Sequence, residues 1–348
     1  MTTRVLLAGD HFIRNDLMAA ALTERVDRPL ELREVVGAWP YEPFGRVAEV
    51  DEASANEDEI LDAVRDVEIA VTQMAPFTAR VLAAAERLRL IVCCRGGPVN
   101  VNVATATERG VSVAYTPGRN ASAAAEHTVA LMLAALRRIP YTQGTLMHGE
   151  WRSDLYAYEE CGLEIDGATV GLVGYGAIGR RVATTLHALG AEVLVHDPYA
   201  DAADLPATPP VRLVGLDELL RRSQIVSLHA RLTDSNRHMI GRPQLALMPA
   251  GGVLVNTARG GLLDYDALCD ALDDGHLAAA ALDVYDAEPL AGDSRLRHTR
   301  NLVATPHLAG ATRQTATHAI GMAADEVARY LGGEPLAYLA NPAVAART

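Results

Sequence analysis

Arg259, Glu288 and His307 are side chains of the kinds that bind anions and move protons, and each stands just beyond an apolar run. Arg259 closes "GVLVNTAR", Glu288 lies in "ALDVYDAEPL", and His307 ends "NLVATPH". Histidine exchanges a proton near neutral pH, and a neighbouring carboxylate favours the imidazolium and orients the ring. The planar fork of arginine can hold a carboxylate and polarise a carbonyl oxygen. Singly, each has a plainer reading: a solvated loop arginine, a loop carboxylate, a satisfied turn histidine. What sets them apart is that they follow successive strand candidates downstream of a nucleotide-binding pattern.

That pattern is "TVGLVGYGAIGRRVA", which places Gly174, Gly176 and Gly179 in G-x-G-x-x-G spacing after an apolar strand and at the opening of a helix. Gly174 permits the tight turn, Gly176 lets the backbone approach a pyrophosphate, and Gly179 lets helix and strand pack closely. The helix N-terminus then meets negative charge. Asp197, ending "AEVLVHD" about 20 residues on, falls where a ribose-binding acid belongs. Its carboxylate accepts from a free 2′-hydroxyl and repels a 2′-phosphate, so NAD is expected over NADP, with Arg180 and Arg181 read as helix-surface residues. Beside such a site, the three strand-end residues suit hydride transfer to a ketone, with His307 delivering the proton to the developing alkoxide.

The elements that must position these residues follow from the rhythm of the chain. "RVLLAG", "ELREVV", "VEIAVTQ", "LRLIVCC" and "VSVAY" read as strands, separated by helical patterns such as "NEDEILDAVRD" and "TARVLAAAERL". Such alternation predicts βαβ units and a parallel sheet. Residues 121–139 read as one long connecting helix. The rhythm then restarts with six strand candidates, "ATVGLVG", "AEVLVHD", "QIVSLHA", "GGVLVNTA", "LAAAALDV" and "NLVATPH", enough for a doubly wound sheet. The last helical pattern, "ATRQTATHAIGMAADEVARYL", predicts a return of the C-terminal tail to the N-terminal domain, with a cleft and a hinge between two domains.

Composition narrows the chemistry. The 348 residues carry a formal net charge of −13, which argues against a nucleic-acid partner. The chain has no lysine, so a Schiff base, a pyridoxal-phosphate anchor, a P-loop lysine and a lysine general base are all excluded. Cys93, Cys94, Cys161 and Cys269 form neither a CxxC pair nor a disulfide framework, and no metal site is expected. The first apolar run is too short for a signal sequence and no stretch approaches the roughly 18 apolar residues of a membrane span, so a cytoplasmic protein is expected.

Together "GLVGYGAIGRRVA", "VSLHA", "LVNTARGGLLD", "ALDVYDAEPL" and "TPHLAGAT" strongly resemble the D-isomer-specific 2-hydroxyacid dehydrogenases, which include phosphoglycerate, glycerate and lactate members. The resemblance extends over nearly the whole chain. It implies an α/β fold in which a Rossmann NAD-binding domain, residues 118–317, is inserted into a flavodoxin-like substrate domain, residues 1–117 and 318–348. It also implies a homodimer formed through the NAD-binding domain, and Arg259, Glu288 and His307 as the catalytic residues. The cofactor-binding set comprises Gly174, Tyr175, Gly176, Ala177, Ile178, Gly179, Asp197, His229, Thr257, Ala258 and Asp283.

In the same family, backbone N–H groups after a strand of the substrate domain hold the substrate carboxylate. Here that loop reads "CCRGGPVNVN" where many members carry a Gly-Val-Asp-type loop, which points to Arg95, Gly96 and Gly97. Arg231 stands where relatives commonly have proline, and Arg119 lies in "TPGRN". Three extra arginines would suit a second anionic group on the 2-oxo or 2-hydroxy acid, such as phosphate or phosphonate. "WRSDLYAYEECG" offers Arg152, Tyr156 and Tyr158 as further contacts, including contacts from a partner subunit. Two other readings stay open: a formate- or phosphite-dehydrogenase-like activity, against which Glu288 counts because formate enzymes pair their histidine with glutamine, and a non-catalytic NADH-sensing scaffold. The missing lysine disfavours an amino-acid dehydrogenase.

Overall fold

A computed structural model describes residues 2–344 except 202, 204 and 206–209. The chain forms two compact units, a split unit of residues 1–120 and 311–348 and an inserted unit of residues 121–310.

In the split unit the strands are β1 (Thr3–Gly9), β2 (Leu30–Val36), β3 (Gly45–Val47), β4 (Val50–Ala53), β5 (Ile69–Thr72), β6 (Leu90–Cys93) and β7 (Ser112–Tyr115). Five of them make a parallel sheet ordered β2-β1-β5-β6-β7, and β3 and β4 form a separate antiparallel hairpin. This is the flavodoxin-like order, in which the chain reverses direction between β1 and β5. β5 and β6 are buried along their full length, as expected where helices cover both faces of a sheet. The helix Arg313–Gly332 buries Ala316, Ala319, Ile320, Ala323 and Val327 in the same core cluster as Val5, Leu7 and Val71. It starts at Thr312, whose side chain accepts from the N–H of Thr315, and stops at Gly333 in the left-handed region. Beyond it, the N–H of Tyr115 donates to Tyr338 O and that of Ala340 to Val113 O, so the tail covers the edge strand β7.

The inserted unit holds β8 (Thr169–Val173), β9 (Glu192–His196), β10 (Val211–Leu213), β11 (Ile225–Leu228), β12 (Gly252–Asn256), β13 (Leu277–Leu282) and β14 (Leu302–Ala304). They form one parallel sheet ordered β10-β9-β8-β11-β12-β13-β14. Apolar clusters fill both faces of it, one containing Leu172, Val195, Val255 and Ala281, the other Val173, Val226, Leu254 and Leu282. Alternate residues of each strand thus feed opposite layers.

The structure departs from the sequence expectation at three places. The division falls at 120/121 and 310/311 rather than 117/118 and 317/318, because the whole helix Arg313–Gly332 buries its apolar face on the split unit. The helix expected over 121–139 ends at Leu136, where Arg138 takes a left-handed φ of 49° and a second helix, Ile139–Met147, begins with proline in its first turn. The inserted sheet has seven strands rather than six. Among the described residues no helix is long and apolar enough to cross a membrane.

Candidate active site

The three strand-end residues of the sequence occupy the loops after β12, β13 and β14, the C-terminal edge where open parallel sheets bind ligands. The loop after β12 is shaped by Asn256, which accepts from the N–H of Ala258 through Oδ1 and donates through Nδ2 to the carbonyl of Arg259. That leaves the guanidinium of Arg259 exposed, with one bond among the described residues, to Ala258 O at 2.7 Å. Gly260 follows for a steric reason: a Cβ there would lie 1.9 Å from the carbonyl oxygen of Tyr285. The arginine turn therefore rests directly on the backbone of the loop carrying Glu288.

Glu288 is fixed from two sides. Its Oε1 accepts from the N–H of Tyr285 at 2.9 Å, and its Oε2 accepts from Nδ1 of His307 at 2.6 Å. Burial opposes the imidazolium of His307, but the hydrogen bond and charge of Glu288, with Asp283 behind it, outweigh burial and the opposing Arg259. The net effect raises the pKa above the ordinary 6.5. With Nδ1 committed to Glu288, Nε2 is the nitrogen free to exchange a proton. His307 also has a φ of 56°, a left-handed conformation uncommon for a residue with a side chain.

Asp283 lies beneath this pair rather than facing outward. It is wholly buried and accepts from Thr305 Oγ1 at 2.6 Å, from the N–H of Leu308 at 2.8 Å and from that of Ala309 at 2.8 Å. Burial alone would raise its pKa; hydrogen bonds from His127, Thr305 and the two amides overcome this and lower it. Its carboxylate, expected among the cofactor ligands, is here a protein-bound anion.

The glycine motif fits a dinucleotide. Gly174 has a φ of 102° and a Cβ there would meet the backbone of His229 and Ala230, whereas a Cβ on Gly176 would project into open space at the N-terminus of the helix Ala177–Ala188. Gly179 packs its backbone on Gly174, and Ile178 lies partly buried against the core. Asp197 accepts from the N–H groups of Tyr175 and Tyr199, one on each oxygen, so it is held in place with lone pairs to spare. A NAD molecule would thus be held by the backbone around Gly176 and Ala177 and by Asp197. The ring of Tyr175 instead packs into the core, so only its backbone can serve. Thr257 spends its hydroxyl on Thr128 Oγ1 at 2.6 Å, and Ala258 is half-buried beside Arg259. His229 rests on Ser227 Oγ at 3.0 Å, and burial pushes its pKa down to about 4, so its ring is neutral.

The substrate-loop residues divide. Gly96 and Gly97 have open space where a Cβ would be. The charge of Arg95, expected to attract an anion, is already matched: its side chain is 11% exposed, and its guanidinium bonds Glu52 O at 2.9 Å and pairs with the Glu52 carboxylate. Arg119 is held among Cys94, Arg95 and Asp10, with its Nε buried and no hydrogen-bond partner among the described residues; burial lowers its pKa to about 10. Arg231, in the inserted unit, is exposed. Arg152 is gripped by Asp154 and Tyr141, while Tyr156 and Tyr158 are exposed.

Two polar side chains that sequence reasoning passed over are Asp10 and Gln73, just past β1 and β5. Both are buried, each has an oxygen without a hydrogen-bond partner among the described residues, and burial pushes Asp10 up to about 6. Their signal was the one used for Arg259, a polar residue directly after an apolar strand.

Residues 129–309, most of the inserted unit, match the family described as D-isomer specific 2-hydroxyacid dehydrogenase, NAD binding domain. The chain belongs to this family. Among its relatives, the D-3-phosphoglycerate dehydrogenase of Methanocaldococcus jannaschii is 36% identical over 83% of this chain and 54% of its own length. The hydroxypyruvate reductase of Thermotoga maritima is 37% identical over 76% of this chain and 85% of its own. A crystal structure of a Thermus thermophilus protein superposes with a TM-score of 0.80 at 32% identity, covering 97% of this chain and all of the other. The chain spans about half the length of the phosphoglycerate dehydrogenases it matches.

Proposed function

We propose that the protein interconverts a 2-oxo acid and a D-2-hydroxy acid with NAD. The observation that supports this most is the 2.6 Å pair of His307 and Glu288, tied through Tyr285 to the Arg259 turn. Bound NADH supplies the hydride. His307 gives the proton from Nε2 to the carbonyl oxygen in reduction and takes it back in oxidation, while Glu288 stabilises the imidazolium between the two. Arg259 binds the acid and polarises the carbonyl, its guanidinium being left free for that by the turn. In the split unit the proposed carboxylate contacts are the backbone of Gly96 and Gly97, with Arg119. Arg231 is the further arginine proposed in the inserted unit. Arg95 leaves the set because Glu52 already holds it.

The substrate is proposed to be a short 2-oxo acid, in keeping with hydroxypyruvate and glyoxylate reductases among the relatives. A phosphate-bearing acid is the second reading, favoured by the phosphoglycerate dehydrogenases and weakened by the pairing of Arg95. The chain is proposed to pair with a second copy through the inserted unit. There the helix Ile139–Met147 has no buried residue, and Trp151, Tyr156 and Tyr158 are 83%, 92% and 90% exposed.

The test is NADH oxidation with glyoxylate, hydroxypyruvate, pyruvate, phenylpyruvate, phosphonopyruvate and 3-phospho-hydroxypyruvate. Turnover of the simple acids is the expected result. Turnover confined to the doubly anionic acids would select the second reading. NADH binding without oxidation of any of them would overturn the enzymatic proposal in favour of a sensing scaffold.

A further inference from the structure

The helix Ala121–Leu136 brings one imidazole to the loop that carries His307. His127 Nε2 lies 3.1 Å from Thr305 Oγ1 and 3.4 Å from Asp283 Oδ1. Thr305 already gives its hydroxyl proton to Asp283 Oδ1 at 2.6 Å, so it can only accept from His127. Nε2 of His127 must therefore carry a hydrogen whether the ring is neutral or charged. Thr305 and Asp283 hold both flanks of the next turn. Thr305 O accepts from Tyr285 Oη at 2.9 Å and from the N–H of His307 at 3.0 Å, and Asp283 takes the N–H groups of Leu308 and Ala309. Between those flanks is the left-handed backbone of His307, a conformation its own side chain does not favour.

We infer that His127 is a positioning residue for His307: its Nε2–H ties Thr305 and ionised Asp283 together, and these two clamp the backbone on either side of the imidazole. Among the described residues, the charged groups that act on His307 are Glu288, Asp283 and Arg259, and the one facing His127 is Asp283. Loss of the His127 donor loosens the clamp and lets buried Asp283 take up a proton more readily. The loosened clamp weakens the hold of Glu288 and Asp283, the two anions that favour the His307 imidazolium.

The consequence for turnover rests on the proposed function, but the consequence for His307 itself does not. The experiment is an NMR titration of the full chain with labelled histidine, with His307 assigned from a His307→Gln sample, alongside the pH profile of 2-oxo acid reduction. His127→Phe keeps a ring and removes the donor, whereas His127→Gln restores a donor. His127→Phe is expected to move the His307 titration to lower pH by roughly 0.5 unit or more, and to carry the alkaline limb of reduction with it. His127→Gln is expected to return both toward wild type. An unmoved titration in a folded His127→Phe protein overturns the inference, as does a loss that His127→Gln fails to repair. Should His127→Phe not fold, Thr305→Val removes the hydroxyl between His127 and Asp283 and must shift the same titration. A wild-type protein that reduces no 2-oxo acid would refute the proposed function, while the titration would still decide the role of His127.

Discussion

Replacing Glu288 by glutamine keeps the shape of the partner of His307 and removes its charge. An amide oxygen can still accept from Nδ1, so ring orientation is largely retained and the main loss is the charge-assisted part of a 2.6 Å bond. Hydrogen bonds to charged groups contribute about 1.5–3 kcal/mol. The side chains of His307 and Glu288 are 36% and 21% exposed, so solvent screening brings this down to about 1–2 kcal/mol. That corresponds to a fall of about one pH unit in the proton affinity of His307.

The sign follows from the chemistry. In the proposed mechanism ketone reduction needs protonated His307, so kcat/KM for reduction is expected to be full below its pKa and to decline above it. The native pKa is raised, and Glu288→Gln moves the decline to lower pH. On the acid plateau the variant should approach wild-type rates; above both limbs it should be slower by about ten-fold. Oxidation of the hydroxy acid, which needs the neutral ring, should begin to rise at correspondingly lower pH. NADH absorbance followed across the pH range with saturating cofactor measures all three. A limb that stays in place, or a loss of equal size at every pH, would refute the claim that Glu288 sets the proton affinity of His307.

Arg259→Ala should lower kcat/KM by about a hundred-fold or more with NADH affinity retained, and Arg259→Lys should not restore it because an ammonium lacks the planar fork. Turnover close to wild type in Arg259→Ala would remove Arg259 from the site. Gly260→Ala forces a Cβ onto Tyr285 O and should cost about 1–3 kcal/mol or more, lowering Tm by several degrees. Gly176→Ala meets open space, so Tm should hold while NADH binding weakens; calorimetry paired with NADH fluorescence separates the two. Asp197→Ser should weaken NADH binding and narrow the preference over NADPH, and an unchanged preference would show that cofactor choice is made elsewhere.

Much of this architecture was legible because the strands of both parallel sheets are short apolar runs bounded by turn residues. β10, β3 and β4 escaped notice because they are only three or four residues long, and β10 and β3 have no buried residue to signal them. The candidate site was legible in the same way: Arg259, Glu288 and His307 each follow a strand at the C-terminal edge of the inserted sheet. What the sequence could not display was partnership. Arg95 reads as a free cation until Glu52, 43 residues earlier, is brought against it. Asp283 reads as a lone strand-end carboxylate until four protein groups are found around it, one of them His127 on a distant helix. Such pairings depend on tertiary contact, and no local spacing encodes them.

The left-handed backbone at residue 307 has a consequence for anyone evolving this protein in the laboratory. A non-glycine residue held there gives up roughly 1–2 kcal/mol relative to one at ease in that region. Glycine and asparagine are the residues at ease, and neither can deliver a proton. A library screened only for heat resistance would therefore drift toward them at this position, enriching sturdier proteins that lack the proposed proton donor. Thermal selection on this scaffold has to be coupled to turnover from the first round.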